Sequence, residues 1–169
     1  RLLAACLLLA LPLTRALAVD YYVDSVAGND SNNGTSTATP WQTLAKVNSI
    51  MFAAGDNVLF KRGSSWTGTL YPKIDTNNIM AGCGTSSTNR VVFDAYGTGP
   101  APLIDGGGAQ WAVEIVDKQY FTFQNFSVTN DAATDGHRMG IRVAFGGGGT
   151  PLGSVYHCHD VQILNNYIQ

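Results

Sequence analysis

Hydrophobic residues follow a helical pattern in one stretch of this chain and extended patterns in most of the others. Between Pro40 and Ala54 the apolar side chains recur at the spacing of an amphipathic helix. They are Trp41, Leu44, Val47 and Met51. Thr39 suits the N-cap, Pro40 the first helical position, and Gly55 the end of the helix. Because this single helix precedes a long run of strands, we expect it to cover the open end of a structure built from strands.

Short apolar runs of β-type then recur at long intervals. Runs start at Val58, Val91, Phe121 and Val161, with separations of 33, 30 and 40 residues. Repeats of this length are typical of solenoids, in which each repeat buries its apolar face against the next. Further strands are expected at Val19–Val23, Thr69–Lys73, Pro102–Ile104, Trp111–Val116 and Gly140–Ala144. Two or three strands per repeat, with two-residue hairpin loops largely missing, favour a coil of parallel sheets.

Three segments carry a resemblance to a known family. They read GNDSNNGTSTATPWQTLAKV, GDNVLFKRGSSWTGTL and NRVVFDAYGTGPAPLIDGGG. From about Tyr21 onward the chain resembles the N-terminal part of secreted, pectin-lyase-like proteins, many of which act on polysaccharides. The resemblance implies an all-β fold, a right-handed parallel β-helix with a short N-terminal capping helix. The pattern stops at Gln169 inside a strand, so we expect residues 19–169 to be a C-terminally truncated part of that domain.

Two of the repeats share an asparagine. FTFQNFSV and VQILNNYI place Asn125 and Asn165 at the same offset from the start of their runs. We expect both to be structural corner residues whose amides satisfy backbone groups and bond to the next turn. The same offset gives Arg62 and Ala95 in the two earlier repeats, so the pattern begins only at the third.

Residues 1–18 read as a secretory signal peptide. An apolar run from Leu2 to Leu13 precedes Ala16-Leu17-Ala18, an A-x-A cleavage site, which predicts a mature N-terminus at Val19. The mature chain would carry 8 basic and 12 acidic residues, a balance that disfavours nucleic acid as a partner. We expect a secreted or extracellular monomer, with the periplasm or the cell surface as alternatives, and no membrane span after cleavage. Export would permit a disulfide between Cys83 and Cys158, although two separate thiols are the favoured interpretation.

Candidate catalytic residues cluster before the strand at Gly140–Ala144. In the polyuronate lyases of the resembling family, a cation neutralises the substrate carboxylate while a base removes the neighbouring proton. His137 or Arg138 could serve in these roles, with Arg142 binding substrate. Alternatively, Asp131 and Asp135 could be the acid and base of a hydrolase, which needs two carboxylates. A solvated turn without catalytic function, or a non-catalytic adhesin or structural solenoid, remains the alternative.

Aromatic and metal-type residues complete the candidates. Trp66 lies in the polar segment GSSWTG and is predicted to be an exposed sugar contact, one of several candidate aromatics. The others are Tyr71, Tyr96, Trp111 and Tyr120, of which Trp111 is expected in the core because it lies within an apolar strand. The run His157–Asp160 lacks the spacing of a closed zinc site, so neither a metal nor another cofactor is expected. Asp24, Asp30 and Asn33 offer oxygen atoms to Ca²⁺, but turn side chains that bond their own backbone are the favoured interpretation.

Overall fold

The computed structural model describes residues 17–73, 83–133, 136–144 and 159–169. The regular secondary structure of these residues is almost entirely β-strand, with one short helix, which confirms the all-β prediction in its general form. The strands are β1 (Asp20–Val23), β2 (Asn57–Lys61), β3 (Ser65–Thr67), β4 (Val91–Tyr96), β5 (Leu103–Asp105), β6 (Trp111–Val116), β7 (Phe121–Gln124), β8 (Ser127–Thr129), β9 (Met139–Ala144), β10 (Val161–Leu164) and β11 (Tyr167–Ile168). The helix is α1 (Leu44–Ser49). No helix in the described part is long and apolar enough to cross a membrane.

The strands form three sheets in which every strand pair is parallel. Sheet A has the order β1-β2-β4-β7-β10, sheet B the order β3-β5-β8-β11, and sheet C pairs β6 with β9. An isolated parallel bridge joins Leu70 to Val113 and adds a third segment to sheet C. The chain therefore visits sheets A, B and C in the same order in successive repeats. The predicted strand Thr69–Lys73 is reduced to this one bridge.

Sheet A aligns large apolar side chains in one inward-facing column. Val58 pairs with Phe93, and Phe93 pairs with Phe123, which in turn pairs with Ile163. The first three of these side chains are completely buried. Burying a large apolar side chain stabilises a fold by about 1.5–3 kcal/mol, so this column is a main source of cohesion between repeats.

Sheet B contains a similar column, and Trp66 belongs to it. Trp66 pairs with Ile104, and Ile104 pairs with Val128. The Trp66 side chain is only 5% exposed, its ring meets Phe60 edge-on at 5.0 Å, and its Nε1 donates a hydrogen bond of 2.8 Å to the Gln42 carbonyl. The prediction of an exposed sugar contact is therefore wrong. The polar neighbours Ser65 and Thr67 face outward because strand residues alternate between faces.

The helix exists but is shorter than predicted, and its N-cap is Thr43 instead of Thr39. The Thr43 hydroxyl accepts a hydrogen bond from the Lys46 N–H, which ends the extended segment before the helix. Trp41 lies before the helix and forms a parallel bridge with Val23. Leu44 and Val47 are buried as expected, whereas Phe52, and not Met51, completes the buried face. The helix and the segments beside it thus cover the edge of the first repeat.

The corner asparagines adopt the backbone conformation that a tight bend requires. Asn125 and Asn165 have φ of 67° and 53°, a region that few side chains other than Asn tolerate. The Asn125 amide bonds backwards, donating to the Asp94 carboxylate at 2.6 Å. Between the last two repeats it is the Asn166 side chain that bonds across the corner, accepting from the Phe126 N–H and donating to the Phe123 carbonyl. Residue 166, not residue 165, therefore connects these turns.

Candidate functional site

A row of three polar side chains crosses the outward face of sheet C. Leu70 is paired with Val113, so Tyr71 lies beside Glu114, and Glu114 is itself paired with Arg142. All three are partly buried, with the Glu114 side chain 12% exposed and that of Arg142 34% exposed. A phenol, a carboxylate and a guanidinium from three successive repeats thus stand side by side.

Arg142, at one end of this row, makes two side-chain contacts. Its Nη1 forms an ion pair with Glu114 Oε1. Its guanidinium also lies over the indole ring of Trp111, 4.6 Å from the ring centroid. A guanidinium that is both ion-paired and stacked loses little additional entropy when it binds a ligand, because its orientation is already restricted. The four residues Tyr71, Trp111, Glu114 and Arg142 are called the sheet C cluster below.

The helix holds the edge of this cluster in place. The Asn48 side chain donates to the Thr69 carbonyl at 2.9 Å and accepts from the Tyr71 N–H at 2.8 Å. The Thr69 hydroxyl donates to the Trp111 carbonyl at 2.7 Å. These bonds occupy backbone groups at an unpaired strand edge. A single amide on α1 therefore fixes the position of Tyr71.

The electrostatic surroundings of Tyr71 are dominated by carboxylates. Burial raises the pKa of Tyr71, and the negative charges of Glu114 and Asp117 raise it further, while the positive charge of Arg142 opposes them. The phenol therefore keeps its proton at neutral pH and is available as a hydrogen-bond donor.

The loop that the sequence favoured for catalysis lies before β9. Asp135 lies outside the described residues, while Asp131 and His137 are exposed. Arg138 is partly buried, and its Nε donates to the Gly108 carbonyl at 3.3 Å. His137 and Arg138 are thus neighbours in one segment, and their catalytic roles stay predictions. Arg142 lies on β9, inside the sheet C cluster.

Sequence reasoning missed Glu114, which nothing in the chain's motifs singled out. One signal was present, since Glu114 interrupts the otherwise apolar strand WAVEIV, and a carboxylate in such a strand needs a partner. Tyr71 and Trp111 were among the candidate aromatics, with Trp111 assigned to the core. The structure instead leaves Trp111 partly exposed beneath Arg142.

Other residues of metal-binding type are engaged in the fold. Asp160 forms an ion pair of 2.9 Å with Arg90, whose Nε also donates to the Thr122 hydroxyl, so that Arg90 links three repeats. His159 meets the ring of Tyr120 edge-on at 4.8 Å. His157 and Cys158 lie outside the described residues, and Cys83 is buried with its Sγ 3.7 Å from the Asp117 carbonyl.

The acidic residues of the N-terminal loop bond to protein groups. Asp24 accepts from the backbone N–H groups of Val26 and Ala27 and from Lys61. Asp30 accepts from two backbone N–H groups and from the Thr43 hydroxyl. Among the residues that the structure describes, no group of three or more His, Cys, Asp or Glu side chains is placed to hold a metal ion.

Comparison with known proteins gives a partial match to one kind of enzyme. No protein-family model matches the chain. A lacto-N-biosidase from Bifidobacterium longum subsp. longum is 30% identical over 147 residues, covering 71% of this chain and 9% of that protein. The crystal structure of GH136 lacto-N-biosidase from Eubacterium ramulus matches with a TM-score of 0.69 and 27% identity, over 88% of this chain and 26% of that one. Its selenomethionine derivative matches with the same TM-score and 26% identity, over 89% and 27%. The chain therefore spans less than a third of the length of each of these proteins.

Proposed function

We propose that this chain is part of an extracellular carbohydrate-active enzyme, a glycoside hydrolase that acts on an oligosaccharide, built on a right-handed parallel β-helix. The observation that carries the proposal is the similarity to GH136 lacto-N-biosidases, which extends over nearly all of this chain with a TM-score of 0.69. The three parallel sheets, visited in the same order by successive repeats, support the β-helix. The A-x-A motif at Ala16-Leu17-Ala18 supports export.

The resemblance to pectin-lyase-like proteins, taken alone, favours lyase chemistry slightly over hydrolysis. A lyase needs a cation that neutralises the substrate carboxylate where negative charge develops. In the sheet C cluster the guanidinium of Arg142 is already ion-paired with Glu114, so its charge is compensated before substrate arrives. This arrangement, together with the named relatives, favours hydrolysis of a glycosidic bond.

Product analysis distinguishes the candidate activities. The purified chain is incubated with a panel of neutral oligosaccharides and, separately, with polyuronates, and the products are separated by chromatography with ultraviolet detection. Release of saturated sugars from a neutral oligosaccharide is the expected result. Unsaturated products from a polyuronate would replace the proposal with a lyase. Absence of both binding and cleavage would overturn it in favour of a non-catalytic adhesin or structural solenoid.

A further inference from the structure

We propose that the sheet C cluster is a binding site for an uncharged sugar ring, with the Glu114–Arg142 pair holding two hydroxyl groups and Trp111 lying against the ring. This inference rests on the proposed carbohydrate-active function and specifies a site and a substrate class for it. The cluster is outside the loop His137–Arg138 that the sequence favoured.

The donors and acceptors of the cluster match those of a sugar. Each sugar hydroxyl can both donate and accept a hydrogen bond. Glu114 offers an acceptor, Arg142 offers several donors in a fixed plane, and the protonated phenol of Tyr71 offers one more donor. The residues that carry these groups lie in register on neighbouring strands, and the Glu114 and Arg142 groups touch, so one ring can reach the carboxylate and the guanidinium with adjacent hydroxyls.

The cluster also carries the apolar surface that a sugar ring needs. Trp111 is partly exposed, whereas the other two tryptophans, Trp41 and Trp66, are 3% and 5% exposed. Trp111 and Tyr71 come from adjacent segments of the same sheet. Arg142 covers part of the Trp111 indole, so the C–H face of a sugar ring would contact the rest of the indole and the phenol while its hydroxyls bind the ion pair.

The charges of the cluster select a neutral ligand over an acidic one. A uronate carboxylate would compete with Glu114 for Arg142 and would enter a region where Glu114 and Asp117 already raise the pKa of Tyr71. The ligand carboxylate and the carboxylates of Glu114 and Asp117 would repel one another, and partial burial reduces the screening of that repulsion by water. Replacing Glu114 by an uncharged residue should therefore weaken a neutral ligand and favour an acidic one.

Tryptophan fluorescence provides a direct assay, because Trp111 is the indole that reaches the surface. The probes are lacto-N-biose, a neutral disaccharide, and digalacturonate, an acidic one. We expect lacto-N-biose to produce a saturable fluorescence change that is lost in Trp111→Phe. In Glu114→Gln we expect about a tenfold weaker affinity for lacto-N-biose, the loss of one charge-assisted hydrogen bond, and a measurable gain for digalacturonate. Because Trp111→Phe also removes the reporter, calorimetric titration is used to confirm each affinity.

Tyr71→Phe should weaken lacto-N-biose binding by severalfold, and Tyr22→Phe, on sheet A, is the matched control that should change nothing. Circular dichroism verifies that each variant is folded. Unchanged binding in Glu114→Gln and Trp111→Phe, with cleavage of neutral oligosaccharides retained, would overturn the site and leave the proposed function standing. Tighter binding of digalacturonate than lacto-N-biose by the unmodified chain would overturn the neutral class. Failure to bind or cleave any saccharide would overturn both proposals.

Discussion

Within the described residues, the two ends of the stacked sheets differ in how far they are covered. At the β1 end, Val23, Trp41, Leu44 and Val47 are at most 6% exposed, because the helix and its flanking segments cover the first repeat. At the β10 and β11 end, Leu164, Tyr167 and Ile168 are 41%, 62% and 53% exposed. Each repeat of such a structure is stabilised by its neighbours, so a repeat with one neighbour has about half of the possible contacts. Stability should therefore fall from the covered end to the open one.

The largest expected effect comes from breaking the covered end. Leu44→Asp places a charge without a partner at a position that is 6% exposed, and we expect a loss of about 4 kcal/mol in the free energy of unfolding. Chemical denaturation monitored by circular dichroism measures this loss. The matched control is Ala45→Asp, since the adjacent residue is exposed on the same helix and should change stability by less than about 0.5 kcal/mol. Equal stability of the two variants would mean that the helix does not cover the first repeat.

The second-largest effect is expected from acid, which should lower the stability of the covered end. Burial acts to raise the pKa of both Asp24 and Asp30, but hydrogen bonds outweigh it, from Lys61 to Asp24 and from Thr43 to Asp30, so both pKa values are lowered. A carboxyl with a lowered folded pKa contributes stability above its unfolded pKa of about 3.9, and that stability is lost as the pH falls through the folded value. We therefore expect a lower melting temperature at pH 3 than at pH 6.

The double variant Asp24→Asn, Asp30→Asn tests the origin of this pH dependence. At pH 6 its free energy of unfolding should be lower by about 2 kcal/mol, because each substitution removes a charge-assisted hydrogen bond that contributes about 1 kcal/mol. Its melting temperature should also change less between pH 6 and pH 3. A pH dependence as steep as that of the unmodified chain would assign the effect to other carboxyl groups.

Hydrogen exchange compares the two ends at equivalent backbone positions. The Tyr167 N–H on β11 donates to the Phe126 carbonyl, and the Ser127 N–H on β8, its register partner, donates to the Pro102 carbonyl, both at 2.9 Å. With equal bonds, any difference reports the surrounding packing. We expect the Tyr167 amide to exchange at least about tenfold faster, equivalent to 1.4 kcal/mol or more in opening free energy, because β11 lies at the open edge. Equal protection would show that the last repeat is as stable as the interior.

The smallest effect is expected from substitution at the open edge. Tyr167→Ser removes a side chain that is 62% exposed, and we expect less than about 0.5 kcal/mol change in the free energy of unfolding. Phe123→Ala, in the buried column of sheet A, is the contrasting variant and should cost about 3 kcal/mol. A large loss in Tyr167→Ser would place the edge strand inside the cooperative core.

The apolar runs by themselves located the strands of sheet A and most of their register. The runs at Val91, Phe121 and Val161 start three strands, and these residues are paired with one another as their spacing suggested. A strand can be recognised from such a run because the alternation of side chains along it depends only on neighbouring residues. The register of the first run differs from the one that the spacing suggested, because Val58 pairs with Phe93 and not with Val91. Phe60, and not Arg62, therefore lies beside Ala95. A shift of two residues keeps the same face inward, so the hydrophobic pattern cannot distinguish these registers.

Which side chains meet depends on contacts between distant parts of the chain. Trp66 looked exposed because its sequence neighbours are polar, yet its burial depends on Ile104 and Val128 in other repeats. The row of Tyr71, Glu114 and Arg142 joins residues that are 43 and 28 positions apart in the chain. Those separations include loops whose lengths differ from repeat to repeat, so a local sequence pattern cannot predict which residues pair across them. The sequence therefore determined where strands form, while the pairing of parallel strands determined which chemical groups share a surface.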